Sequence, residues 1–349
     1  MTILVTGSAG FIGSNFVLDW FHQSQENIVS LDLLTYAGNL ANLSPIYKKP
    51  YHHFVHGNIN DRDLVSTLLK KYKVRAVVNF AAESHVDRSI YDSEDFVQTN
   101  IVGTYSLLES VRSFWNDLDE RSKKGFKFIH ISTDEVYGSL EDKALPFTEI
   151  DPLKPNNPYS ASKAASDHFI RAWFHTYSLP VITTNCSNNY GPYQFPEKLI
   201  PLCILNALHG KPLNIYGDGK QIRDWLYVKD HCSAILEVLN HGLVGQRYNI
   251  SGANEKTNLE VIKILCAILD ELNPRLNGKS YADQITFVKD RPGHDRRYAL
   301  NAKKIERELY WKPKETFETG LYKTVLWYLE NQDWTNDVIT GKYKHWCKK

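Results

Sequence analysis

The stretch that most constrains this chain lies at its start: Ile3-Leu4-Val5-Thr6-Gly7-Ser8-Ala9-Gly10-Phe11-Ile12-Gly13. An apolar run breaks at glycines spaced three apart and resumes as an amphipathic segment, which reads as strand, tight turn and helix. Gly7 takes the backbone angles of the turn, Gly10 lets the main chain approach a pyrophosphate, and Gly13 allows close packing of helix on strand. The helix N-terminus, with Phe11 and Ile12, offers N–H groups to an anion. A second strand, Ile28-Val29-Ser30-Leu31-Asp32, ends in a carboxylate 19 residues after Gly13, near the spacing of the acid that holds an adenosine ribose. This order predicts a dinucleotide site. Because Asp32 would accept bonds from a ribose 2′-hydroxyl and repel a 2′-phosphate, the expected cofactor is NAD.

The rest of the first half alternates strand-like and helix-like segments, the pattern of an α/β protein with a Rossmann-type, doubly wound parallel sheet. Leu33, Leu34 and Thr35 open a loop placed to border the adenosine. In the Gly57-Asn58-Ile59-Asn60 turn, Asn58 either contacts the adenine edge beside Ile59 or uses its side chain to satisfy its own turn. A buried strand from Val74 to Phe80 delivers Ala81-Ala82-Glu83-Ser84-His85 to the carboxyl edge of the sheet, where such folds bind ligands. Small Ala81 and Ala82 let a cofactor lie close, Ser84 faces cofactor or substrate, and His85 is left out of the chemistry. Thr99 to Phe114 is helical, with apolar residues on more faces than one sheet contact needs, so part of it is expected to meet another subunit. The strand from Phe126 to Ser132 ends in Thr133-Asp134-Glu135. Adjacent strand residues point to opposite faces, so the two acids share a ligand only if the chain leaves the strand at Thr133.

In Pro158-Tyr159-Ser160-Ala161-Ser162-Lys163, Tyr159 and Lys163 share one helix face, and an ammonium beside the phenol favours phenolate, which makes a general base.

Composition sets bounds on this reading. With 349 residues, 42% of them hydrophobic, the chain can bury a large core in about two domains. The expected division is a cofactor domain over 1–185 with a returning strand and helix near 221–240, and a smaller mixed α/β substrate domain over 186–349. Forty-one basic residues against forty acidic ones leave a formal charge of +1, so no global field favours nucleic acid or membrane. Five cysteines, odd in number and without a CxxC pair, argue against a zinc cluster and suit a reducing compartment. The start of the chain shows no signal-peptide pattern, and no apolar run reaches the ~18 residues of a membrane span, so a cytoplasmic protein is expected. Trp327, Trp334 and Trp346 read as packing of terminal helices.

Together, Gly7-x-x-Gly10-x-x-Gly13, Asp32 and Tyr159-x-x-x-Lys163 resemble the extended short-chain dehydrogenase/reductase superfamily. Ala81-Ala82-Glu83-Ser84-His85-Val86-Asp87, Ser132-Thr133-Asp134-Glu135-Val136-Tyr137-Gly138, Cys186-Ser187-Asn188-Asn189-Tyr190-Gly191-Pro192, Arg223-Asp224-Trp225 and Arg291-Pro292-Gly293-His294-Asp295 resemble its nucleotide-sugar 4,6-dehydratases. The resemblance implies dTDP-glucose as substrate and a defined division of labour. Tyr159, helped by Lys163, takes the O4 proton while hydride leaves C4; Thr133 holds O4; Glu135 removes the C5 proton and Asp134 protonates the departing C6 hydroxyl. One acid must then be protonated and the other ionised. The resemblance also places Thr99 and Asn189 on the cofactor, and Asn188, Glu197, Lys198, Leu199, Arg223, Asn258, Arg291 and His294 around the nucleotide diphosphate. Lys198 reads equally as a solvated helix residue, and Asn258 as a helix cap. The superfamily has an acid where this chain has Asn58, which implies a looser hold on NAD. A homodimer is implied as well. A 4-epimerase or uronate decarboxylase would leave Asp134 and Glu135 idle; a silent NAD-binding regulator would have lost Tyr159, Lys163 or the triplet.

Overall fold

The computed structural model describes residues 1–24, 26–290 and 294–341. Arg291, with Pro292 and Gly293, and the terminal Trp346 and Cys347 lie outside the described residues. Seven strands form the central sheet: β1 (Thr2–Thr6), β2 (Asn27–Asp32), β3 (His52–His56), β4 (Val74–Asn79), β5 (Lys127–Thr133), β6 (Val181–Cys186) and β10 (Arg247–Ile250). All are parallel, in the order β10-β6-β5-β4-β1-β2-β3. The strand order reverses between β1 and β4, the position at which such sheets open a crevice beyond their carboxyl ends.

Alternation along the strands builds a core on each face. Ile3 and Val5 meet Phe16, Val17, Ile235 and Val238 on one side, whereas Leu4 and Val77 meet Leu107, Val111 and Ile170 on the other. Burial on both faces is why these strands are nearly continuous in apolar residues. The helices Phe11–Gln23 and Val228–His241 pack on the first side. Arg62–Lys71, Thr104–Asn116 and Pro158–Tyr177 cover the second.

A second core gathers Ile204, Val261, Leu265, Phe317 and Leu321 from the helices Leu199–Leu208, Asn258–Leu272 and Phe317–Glu330. Its sheet is built around β9 (Ile222–Tyr227), with β7 (Asn188–Tyr190), β11 (Glu255–Thr257) and β13 (Arg297–Tyr298); β8 (Leu213–Tyr216) pairs separately with β12 (Ile285–Val288). The sequence reading sends the strand near 221 to the first sheet, and this is corrected: β9 stays in the second sheet, between the two cores. Trp225 and Tyr227 point into the second core and Leu226 into the first. The strand that does return is β10, beside β6, reached through the Val228–His241 helix.

Three local features set the site. The Pro158–Tyr177 helix starts at an Asn157–Ser160 capping box with Pro158 in its first turn, so its register is fixed from the N-terminus. The chain leaves β5 at Thr133, which caps a 3₁₀ turn over Asp134–Tyr137, as the two-acid argument requires. The helix expected from Thr99 begins instead as a π turn over Val97–Gly103; such bulges recur at functional sites. No helix among the described residues is long and apolar enough to cross a membrane.

Candidate active site

A cleft runs along the carboxyl edge of the sheet, from the glycine turn and Asp32 at one end to Thr133, Asp134, Glu135, Tyr159 and Lys163 at the other. Its floor at the glycine end tolerates no added atoms at Gly7 or Gly13. Gly7 has φ +63°, and a Cβ there would lie 2.6 Å from the Ala81 nitrogen; a Cβ on Gly13 would lie 2.1 Å from the Gly7 carbonyl oxygen. A Cβ on Gly10 would meet only the Gly7 carbonyl oxygen, at 3.3 Å, so its bareness serves the cleft that it lines. Asp32 is buried, with Oδ2 accepting from the Ala9 N–H and Oδ1 from the Leu34 N–H, both at 2.8 Å. Burial pushes its pKa up, against those two bonds. Glycine cradle and oriented acid together fit an adenine dinucleotide.

Phe11, Ile12, Leu33, Thr35, Asn58, Ile59, Phe80, Ala81, Ala82, Ser84, Thr99 and Asn189 also line the cleft. Leu34 does not: at φ +54° its side chain turns back against the first core. Asn58 meets both of its readings, since it lines the cleft and its Oδ1 accepts from the Asn60 N–H at 2.9 Å.

At the catalytic end, Thr133 Oγ1 accepts from the Glu135 N–H at 3.3 Å and donates to Asp134 Oδ1 at 3.1 Å. Asp134 is 2% exposed and its Oδ2 has no hydrogen-bond partner, while Glu135 is only half-buried. Burial, then the neighbouring Glu135 and Asp224 charges, raise the Asp134 pKa well above the carboxylate range. The pair is thereby divided: burial favours the protonated form of Asp134, beside a more solvated partner.

At Tyr159 the phenolate is opposed by burial. Burial first, then the Glu135 charge, push its pKa well above the usual tyrosine value. Against this stands Lys163, whose Nζ donates to the Ile131 carbonyl at 2.8 Å; burial lowers its own pKa to about 8, which leaves it an ammonium at neutral pH.

Of the residues expected around the substrate, Ser84, Asn188, Glu197 and Lys198 line the cleft; Leu199, Arg223, Asn258 and His294 do not. Glu197 accepts from the Tyr36 hydroxyl at 2.9 Å and lies 3.5 Å from His85 Nε2; Lys198 Nζ donates to the Ser84 carbonyl at 2.9 Å, so neither is a solvated surface group. Arg223 Nη1 donates to the Ile222 carbonyl at 2.7 Å and its guanidinium lies over the Tyr298 ring at 4.5 Å, one layer behind the cleft wall. Asn258 opens its helix but does not cap it, since Thr257 and Glu260 form the capping box. His294 is paired with Asp290 at 2.7 Å.

Sequence reasoning missed Cys186, Gln194 and Phe195, which line the cleft, and Asn100, which holds it together. From the π turn, Asn100 accepts from the Glu83 N–H and donates to the Glu83 carbonyl and to Ser162 Oγ, at 2.9, 3.0 and 2.8 Å. A buried Asn in an otherwise helical run is the one local signal that pointed to it.

The chain matches the family described as GDP-mannose 4,6 dehydratase over residues 4–324. It is 57% identical over 343 residues, 98% of this chain and 97% of the relative, to a dTDP-glucose 4,6-dehydratase of Xanthomonas campestris pv. campestris. A crystal structure of dTDP-glucose 4,6-dehydratase from Bacillus anthracis in complex with NAD is 48% identical, with a TM-score of 0.86 over 97% of this chain and 99% of that one. A UDP-glucose 4-epimerase from Thermotoga maritima, solved with UDP-glucose, shares the fold at 27% identity and a TM-score of 0.83, covering 95% of this chain and 100% of that one.

Proposed function

From the premise that the chain belongs to the GDP-mannose 4,6 dehydratase family, within the extended short-chain dehydrogenase/reductases, we propose that it is an NAD-dependent hydro-lyase acting on dTDP-glucose. It converts dTDP-glucose to dTDP-4-dehydro-6-deoxy-glucose and water. The observation that carries this reading is the Asp134–Glu135 pair, one acid buried and the other more solvated, on one turn at the cleft.

Bound NAD accepts the hydride that leaves C4 and returns it to C6. The glycine turn and Asp32 hold its adenosine half. Tyr159, as the phenolate that the neighbouring Lys163 ammonium favours, takes the O4 proton as the C4 ketone forms and becomes the neutral phenol. Thr133 Oγ1 holds O4. The ketone acidifies the C5 hydrogen, which Glu135 removes, and Asp134 delivers its proton through the unpartnered Oδ2 side to the C6 hydroxyl, which leaves as water. Glu135 then returns a proton to C5.

Asn188, Glu197 and Lys198 contact the nucleotide end from the cleft wall, with Arg223 and His294 supporting from behind. Residues 1–185 with the returning Val228–His241 helix hold the cofactor, and 186–349 carries the sugar-nucleotide side. The product feeds deoxysugar synthesis. The exposed faces of the Val97–Gly103 and Thr104–Asn116 segments, with Val97, Val102 and Tyr105, are the surface of a homodimer in the cytoplasm. Incubation with dTDP-glucose and no added cofactor tests the central reading: loss of one water and a new C6 methyl doublet support it, whereas a product of unchanged mass would favour epimerisation.

A further inference from the structure

Tyr159, Lys163 and Asp167 follow one another at four-residue spacing on the same face of the Pro158–Tyr177 helix, and all three are buried. Asp167 has no place in the reaction described above, yet a carboxylate that is 1% exposed demands compensation. Its Oδ2 accepts from Asn185 Nδ2 at 3.3 Å and lies 3.5 Å from Arg247 Nη2; its Oδ1 lies 3.5 Å from His130 Nε2.

The state of His130 follows from its other neighbours. Asn79 Oδ1 accepts from the Thr6 hydroxyl at 2.6 Å, which turns the Asn79 amide toward His130 Nδ1, 3.2 Å away. Nδ1 therefore accepts and the ring proton sits on Nε2, facing Asp167. Burial pushes the His130 pKa down to about 4, so the ring is neutral and does not cancel the carboxylate. Arg247 is offset to the outer side, at the sheet edge. The next group inward along the helix is Lys163, whose ammonium donates to the Ile131 carbonyl.

We propose that Asp167 is a positioning residue for Lys163: its buried carboxylate is the counter-charge that keeps the lysine an ammonium, seated on Ile131 below Tyr159. Burial pushes the Asp167 pKa up, but the His130 ring facing it at 3.5 Å and the Arg247 charge prevail and hold it below the usual carboxylate value, so the counter-charge is present throughout neutral pH. The groups facing this pair are Tyr159 on the same helix, His130 on β5, Cys186 on β6, Arg247 on β10 and Tyr137, Asp134 and Glu135 on the turn after β5.

The assignment rests on Lys163 acting beside Tyr159, and the test separates the two. In resting holoenzyme carrying ¹³Cε-lysine, the Lys163 resonance, identified by its loss in Lys163→Met, is titrated in wild type and in Asp167→Asn. Loss of the counter-charge should move the midpoint down by about one pH unit, a tenfold fall in the ratio of ammonium to amine at a given pH. The alkaline limb of C4 oxidation, read as NADH absorbance in a single turnover, should move with it, and Asp167→Glu should restore both. An unmoved midpoint, or an equal rate loss at every pH, would make Asp167 a packing residue and overturn the proposal. Should Asp167→Asn fail to retain NAD, Arg247→Gln decides: freeing the carboxylate from Arg247 raises the Lys163 midpoint, and an unchanged or lower one refutes the assignment. Dehydration surviving in Lys163→Met would instead overturn the role given to Lys163, leaving the titration result to stand.

Discussion

The two ends of the cleft solve opposite problems. At the nucleotide end, recognition is written in the backbone: glycines that admit no Cβ and a carboxylate oriented by two N–H groups before any ligand arrives. At the catalytic end it is written in buried ionisable side chains, whose pKa values are moved from those that water would give them. The first end is built on steric fit and the second on electrostatic cost. They should therefore break in different ways.

The largest effect is expected at the catalytic end. Tyr159→Phe removes the O4 proton acceptor, so turnover should fall by roughly 10²–10⁴-fold while NAD stays bound and the melting temperature is little changed. Steady-state kinetics with cofactor content measured in parallel checks this; loss of NAD along with activity would blur the distinction between the ends. Next, Gly13→Ala forces a Cβ onto the Gly7 carbonyl oxygen at 2.1 Å, which should cost at least about 1–3 kcal/mol and release NAD. Its signature is lower thermal stability and a cofactor-free preparation. Stability of this variant equal to wild type would show that the turn can yield.

Asp134→Asn sharpens the electrostatic side through pH. The folded pKa of Asp134 lies above its unfolded value, so its contribution favours the fold below about pH 4. That contribution is lost as pH rises through the folded pKa. The Asn variant avoids the loss, so its melting temperature relative to wild type should increase between pH 4 and pH 7, although dehydration is abolished. A constant difference would mean that Asp134 is not held neutral by the fold. The smallest effect belongs to a control in the second core. Thr257→Ala removes the cap of the Asn258–Leu272 helix and should cost about 1 kcal/mol with kcat intact.

The same contrast explains what the sequence could and could not disclose. The nucleotide end is a local device: strand, glycines, helix and acid lie within Ile3 to Asp32, and each had a legible reason for its position. Thr133-Asp134-Glu135 was legible as chemistry, and the departure from the strand followed from the geometry of alternating side chains. The state of Tyr159 was not legible. Its phenol is governed by burial and the Glu135 charge, opposed by a hydrogen bond with Thr133, all of which join distant segments. The fate of β9 was hidden for a related reason, since a strand whose neighbouring side chains serve two cores reads the same whichever sheet it joins. The carbonyl partners of Arg223 were not legible, since a guanidinium suits main-chain oxygens of distant segments as well as a ligand's.

The most direct measurement is rapid mixing of the Glu135→Gln holoenzyme with dTDP-glucose in deuterated water. NADH absorbance should appear as C4 is oxidised and then persist, with no loss of water and no deuterium at C5. Dehydration at the wild-type rate with deuterium at C5 would contradict the division of acid and base between Asp134 and Glu135.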